Sequence, residues 1–188
     1  MALVDMLGER NVPPEVAQLF QAVEREYGFV PNILRVMAHC PDLVTVFVPL
    51  WAQVYKSPSI GPRLRALAAL GTAKAQDCTY CVAHMTASAR RAGVAEEQIS
   101  AVGDLLDVRE AFEDREALIL ETADVLTRDP DGVTDELRAR LTAEFGADEI
   151  VNIVLAIGMY NLTSRFLKAL AIDVESVFDA AAPQPTTA

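Results

Sequence analysis

Apolar residues recur at three- and four-residue intervals along nearly the whole chain, and no stretch holds a sustained alternation of apolar and polar residues. One buried face of a helix leaves that spacing; a half-buried strand would alternate with period two. Residue choice agrees. Aromatics make up only 6% of the 188 residues, and alanine, leucine and valine dominate the 52% that is hydrophobic. That mixture suits close-packed helices rather than a β-sandwich. The expectation is an all-α fold, a single-domain helical bundle over residues 13–180, with a short N-terminal segment (1–12) before it and a disordered tail (181–188) after it.

Prolines and glycines set the expected boundaries. Pro13 and Pro14 precede a helix carrying Val16, Leu19, Phe20 and Val23, which Gly28 ends. Pro31 allows a short helix over 32–39, and Pro41 opens another to about Tyr55. The run Ser57-Pro58-Ser59 with Gly61 breaks the chain before a helix over 62–75. Asp77 is expected to cap a helix that starts at Cys78 and stops at Gly93. Helices over 95–105, 115–128 and 134–145, and a long one from Ala147 onward, complete an expected domain of roughly eight helices with short connections.

The net charge of −11 excludes nucleic acid as a partner, because phosphate binding needs clustered lysine and arginine. It suits a soluble, cytoplasmic protein. The N-terminus has no basic stretch followed by an apolar run, so no secretory signal is expected. The segment 150–172 is nearly long enough to span a bilayer. It carries Asn152, Asn161, Arg165 and Lys168, each costly in hydrocarbon, and is therefore expected to be a buried helix with no membrane role. Glycine-rich phosphate loops, dinucleotide fingerprints and serine-triad signatures are missing, so no bound cofactor is expected.

The chemistry concentrates in Asp77-Cys78-Thr79-Tyr80-Cys81-Val82-Ala83-His84. Residues three apart share a helix face, so Cys78, Cys81 and His84 fall on one stripe. At a helix start, unpaired N–H groups favour a thiolate and lower its pKa, and a nearby imidazole can take the thiol proton. Asp77 opposes this with its own negative charge. Such a pair can close a disulfide, the minimum equipment for a two-electron cycle. Zinc is a weaker reading: Cys78, Cys81 and His84 supply three ligands where a closed structural site needs four, and no metal is expected. Two small cysteines that merely pack on an apolar face form a third reading.

The run RLRALAALGTAKAQDCTYCVAHMTASARRAG, from Arg63 to Gly93, resembles the core motif of the alkylhydroperoxidase D-like and carboxymuconolactone decarboxylase-like proteins. Val30-Pro31-Asn32 and the run from Ala38 to Leu43 are similar to the family's N-terminal part. Residues 115–173, with Tyr160-Asn161 and Arg165, are similar to its C-terminal helices. The resemblance implies the family's all-α fold and homo-oligomeric assembly. In redox members the second cysteine attacks peroxide and the first resolves it. A glutamate twelve residues before the first cysteine and a histidine four after the second relay the proton. Here Cys81 matches the attacking cysteine and Cys78 the resolving one, while the relay positions hold Ala66 and Met85. His84, one residue early, is the expected substitute, with Tyr80 as a hydrogen-bond donor to a thiolate.

Three further residues complete the candidates. Glu121 borders the apolar stripe of Leu118, Thr122 and Val125; it is either a flanking residue whose head reaches water, the commoner case, or a carboxylate with a raised pKa that accepts a proton. Asn161 and Arg165, four apart, either line a substrate pocket or form a network between helices or subunits. The expected function is a thiol-dependent peroxidase or thiol–disulfide oxidoreductase, with a small hydroperoxide as substrate and a separate thiol as reductant. The alternatives are a non-redox decarboxylase-like enzyme acting on a small carboxylate or lactone, and a non-catalytic assembly protein.

Overall fold

The computed structural model describes residues 2–181, so the expected tail lies, apart from Ala181, outside the described residues. Ten α-helices and no strands occur among them. In chain order these are α1 (Pro14–Tyr27), α2 (Asn32–Met37), α3 (Pro41–Tyr55), α4 (Pro62–Ala75), α5 (Thr79–Arg91), α6 (Glu96–Ala101), α7 (Leu105–Ala111), α8 (Asp114–Arg128), α9 (Asp135–Glu144) and α10 (Ala147–Ala169). The all-α expectation holds. The single helix expected over 95–105 is instead α6 followed by a new helix. Val102 turns extended, Gly103 takes a φ of +112°, and α7 restarts with the Val108 N–H donating to the Asp104 carbonyl at 2.9 Å. A positive φ at glycine ends a helix that the apolar spacing alone would have carried through.

The helices gather into two compact units. One takes both ends of the chain, up to Leu50 and from Leu167 on; the other runs from Trp51 to Phe166 and holds every residue of the candidate site. In the first unit Gly28 closes α1 in the left-handed region at φ +83°, and Val16 and Phe20 are fully buried. The segment after α10 is fastened to the start of α2. The Asn32 amide N–H donates to the Glu175 carboxylate at 2.5 Å, and the Asn32 side chain donates to the Asp173 carbonyl at 3.0 Å. Phe29 and Phe178 meet edge to face at 5.9 Å.

The second unit is built around α4, which is buried continuously from Ala66 to Ala73. A helix that is apolar on every side belongs at the centre of a core. Its small residues let neighbours come close: a Cβ at Gly71 would stand 3.1 Å from the Ala123 Cβ and the Leu120 Cδ2 of α8. Leu118, Ile119 and Ala123 of α8 join Ile60, Ala68, Leu137, Leu141, Phe145, Ile153 and Ile157 in one cluster. Each large aliphatic side chain buried there contributes about 1.5–3 kcal/mol. Thr72 and Thr122 bring hydroxyls into this core and donate them to carbonyls of their own helices, Ala68 and Leu118, so neither is left unsatisfied.

α10 is long and apolar enough to cross a membrane by length and composition alone. It packs as a core helix, with Ile153, Ile157, Tyr160 and Ser164 along its buried face. Val151, Val154, Leu155 and Leu162 form an exposed apolar stripe on the opposite side.

Candidate active site

The cysteine pair is placed by the corner between α4 and α5. Gln76 caps α4, and Asp77 follows with φ +50°, a left-handed conformation that aspartate tolerates better than most residues. The Cys78 N–H donates to the Ala73 carbonyl at 3.1 Å and the Asp77 N–H to the Lys74 carbonyl at 3.0 Å. This paired closure satisfies the last carbonyls of α4. Asp77 therefore ends α4 and does not cap α5, as its residue type had suggested. The N-cap of α5 is Cys78 itself, whose Sγ accepts the backbone N–H of Cys81 at 3.3 Å. A sulfur stands where serine or aspartate usually stands.

That cap folds the two thiols onto each other. Their sulfurs share a hydrogen bond at 2.7 Å and both residues are buried, at 2% and 3% exposure. A covalent bond would require the sulfurs to close to about 2.05 Å. The helix start does not lower the Cys81 pKa as expected. The hydrogen bond with Cys78 and burial both push it up, outweighing the Ser164 hydroxyl that favours the thiolate. The reduced pair therefore holds its proton at rest, because a thiolate there would lack water and would break the bond to its neighbour.

One hydroxyl touches the pair, and two phenols form a network beside it. The Ser164 Oγ lies 3.2 Å from the Cys81 Sγ and is fully buried. One turn earlier on α10, the Tyr160 phenol interacts with the Tyr55 hydroxyl, the Trp51 indole and, electrostatically, Cys81. The Tyr55 hydroxyl donates to the Met85 Sδ at 3.1 Å and lies 3.5 Å from the Ser88 Oγ. The Trp51 and Tyr55 rings stack at 5.0 Å, and those of Tyr55 and Tyr160 are 5.8 Å apart. Burial raises the pKa of both tyrosines, keeping them protonated. His84 sits on α5 with its ring stacked on the buried Tyr80 at 4.5 Å. Ala66 and Met85 are both buried apolar side chains.

Glu121 is not the proton acceptor that its stripe position allowed. Both of its carboxylate oxygens accept from Arg140 at 2.8 Å, and Arg109 lies 4.0 Å away. Those guanidinium groups hold its pKa below the usual carboxylate value instead of raising it, so it is a poor proton acceptor. Asn161 is a junction between helices. Its Oδ1 accepts from Gln76 and from Arg165, and its Nδ2 donates to Thr127 at 3.0 Å and to the Ile157 carbonyl at 3.1 Å. Arg165 also donates to the Asn161 carbonyl, so this pair ties α10 to the ends of α4 and α8.

Sequence reasoning passed over Ser164 and gave Tyr55 and Tyr160 no catalytic role. The usable signal was weak: Ser164 lies eleven positions after Ile153 and seven after Ile157, so it is a polar residue on an otherwise apolar stripe that needs a partner. No group of three or more histidine, cysteine, aspartate or glutamate side chains is suited to a metal among the described residues. An open polar cavity of about 530 Å³ lies elsewhere in this unit, beside Arg63, Gln98 and Glu116. There Arg63 is held by Glu116 at 2.6 Å and donates to the Gly93 carbonyl and to Gln98.

Residues 41–124 match the carboxymuconolactone decarboxylase family. The chain is 31% identical over 156 residues to the uncharacterized protein YnjA of Escherichia coli (strain K12), a match covering 81% of this chain and 84% of that one. Among solved structures it is similar to an uncharacterized peroxidase-related protein from Ralstonia eutropha JMP134 with an alkylhydroperoxidase AhpD core. That similarity has a TM-score of 0.83 at 19% identity and covers 94% of each chain. It is also similar to a cysteine-to-alanine variant of the debrominase Bmp8 in complex with 2,3,4-tribromopyrrole, with a TM-score of 0.81 at 23% identity over 96% of this chain and 95% of that one.

Proposed function

The chain belongs to the carboxymuconolactone decarboxylase family, and from that premise we propose that it is a cytoplasmic thiol-dependent peroxidase working through Cys81 and Cys78. The observation that carries the reading is the sulfur–sulfur approach of 2.7 Å inside a buried helix start. Two thiols held so close need almost no rearrangement to exchange a covalent bond. A pair retained only for packing has no need of the Ser164 hydroxyl against the sulfur of Cys81.

In the proposed cycle the Cys81 thiolate attacks a hydroperoxide oxygen. The S–O bond forms as the O–O bond breaks, the leaving oxygen takes a proton, and Cys81 becomes a sulfenic acid. Cys78 then attacks that sulfur and expels water, closing the disulfide. An external thiol reductant returns two electrons and two protons. Ser164 steadies the thiolate by donating its hydroxyl to it. His84, on the same helix, is proposed to assist, with its ring held against Tyr80.

Trapping of the intermediate tests this order. With Cys78→Ser, one equivalent of hydroperoxide should leave a sulfenic acid on Cys81 that a dimedone probe labels. Label on Cys78 in the reciprocal Cys81→Ser protein would reverse the roles, and no label in either would reject the chemistry.

A second reading has its own support. The family's relay positions are occupied by Ala66 and Met85, which cannot carry protons, and this favours a non-redox enzyme acting on a small carboxylate or lactone. Turnover of such a substrate that survives alkylation of all thiols would establish it against the peroxidase.

A further inference from the structure

We propose that the Tyr160 phenol, backed by Tyr55, is the proton donor to the leaving oxygen when Cys81 reduces a hydroperoxide. This deepens the peroxidase reading and rests on it. Three observations place the donor. Tyr160 lies one turn before Ser164 on the buried face of α10, and the Ser164 Oγ is 3.2 Å from the Cys81 Sγ, so phenol and sulfur share one side of the helix. The phenol and the sulfur are within electrostatic reach of each other. Next to Tyr160, the hydroxyl of Tyr55 donates at 3.1 Å to the Sδ of Met85, the position whose thioether accepts only weakly and has no proton to give. The phenols thus reach the place where the sequence had lost its relay.

Their hydrogen bonding suits a donor. An indole N–H can only donate, so Trp51 occupies a lone pair of the Tyr160 oxygen, while the phenolic proton rests in a hydrogen bond to the Tyr55 oxygen and has to turn from it to reach the departing oxygen. The Trp51 bond strengthens once the oxygen becomes a phenolate, which is when stabilisation is needed. Burial keeps the phenol protonated until then. In the step itself, a sulfur lone pair forms the S–O bond, the O–O bond breaks, and the departing alkoxide takes the phenolic proton and leaves as an alcohol. The phenolate recovers a proton through the half-buried Tyr55, matching the one the Cys81 thiol released to solvent before the attack.

The test compares leaving groups. An alkyl hydroperoxide expels a strongly basic alkoxide that needs a proton; a peracid expels a carboxylate that does not. Rates of Cys81 oxidation would be measured by stopped flow for the reduced wild-type protein, Tyr160→Phe and Tyr55→Phe, with cumene hydroperoxide, with a peracid and, as a control on thiol access, with iodoacetamide. Tyr160→Phe should slow the hydroperoxide reaction by about 10² while leaving the peracid and iodoacetamide rates at the wild-type level, and Tyr55→Phe should give a smaller loss of the same kind. Equal slowing with all three reagents would make Tyr160 a packing residue and overturn the proposal, as would no slowing at all. If the wild-type protein itself reacts with hydroperoxide no faster than a free thiol, the peroxidase reading fails and the donor role fails with it.

Discussion

At the scale of single residues, two positions decide how the thiols are presented. Asp77 must hold φ +50° for α4 to end and α5 to begin at Cys78. Asp77→Gly should keep this backbone without strain, whereas Asp77→Val should cost about 1–2 kcal/mol more and loosen the sulfur contact. Chemical denaturation checks both. Cys81 makes a pH prediction whose sign follows from its raised pKa. The folded, reduced chain keeps a proton that the unfolded chain releases above about pH 8.5. Stability is therefore complete below that pH and falls as the pH rises, by up to about 1.4 kcal/mol per unit for one proton. Between roughly pH 8.5 and 10, below the ordinary tyrosine range, the reduced wild-type protein should lose more stability than Cys81→Ser. Parallel melting curves for the two proteins would contradict the assignment. The cysteines were legible in the sequence because the pair is local. Ser164 was not, since 83 residues separate it from Cys81 and only the packing of α10 against α5 joins them. Glu121 misled for a related reason: its stripe position suggested burial, but Arg140, nineteen residues away, takes its charge.

At the scale of elements, α4 was the easiest helix to read and the rest varied with their punctuation. Gly61 and Pro62 open it as the sequence indicated, because proline suits the first helical turn. Thr134 caps α9, its hydroxyl accepting the Leu137 N–H at 3.2 Å. The break at Gly103 was invisible, because an isolated glycine inside an apolar pattern is compatible with either outcome. Close contact between α4 and α8 depends on Gly71. Gly71→Val should push Leu120 and Ala123 away and destabilise the protein by about 1–3 kcal/mol. Because α4 also leads into the cysteine corner, the same substitution should speed alkylation of Cys81. A rise in melting temperature would show that the neighbouring side chains yield without strain.

At the scale of the whole molecule, a chain with net charge −11 still exposes apolar side chains along α10, namely Val151, Val154, Leu155 and Leu162. Scattered exposed leucines need no explanation, but a continuous helical stripe does. We propose that the protein is a homo-oligomer with this stripe in its interface. Val154→Glu combined with Leu155→Glu should lower the mass measured by light scattering while leaving helicity intact; a monomeric wild-type protein would contradict the assembly. Overall class and family were readable from periodicity and from the run around the cysteines. What replaces the missing relay was not, because Tyr55 and Tyr160 meet only in the folded chain.

The proposed function stands or falls with the cysteine pair as a working peroxide-reducing centre. Its most direct measurement is the rate at which hydrogen peroxide and an organic hydroperoxide consume thiols in the fully reduced protein, compared with Cys78→Ser and Cys81→Ser. A working pair should show rapid loss of two thiols per peroxide, abolished by Cys81→Ser and reduced to one thiol by Cys78→Ser. Loss no faster than that of a free thiol, or unchanged in Cys81→Ser, would contradict it.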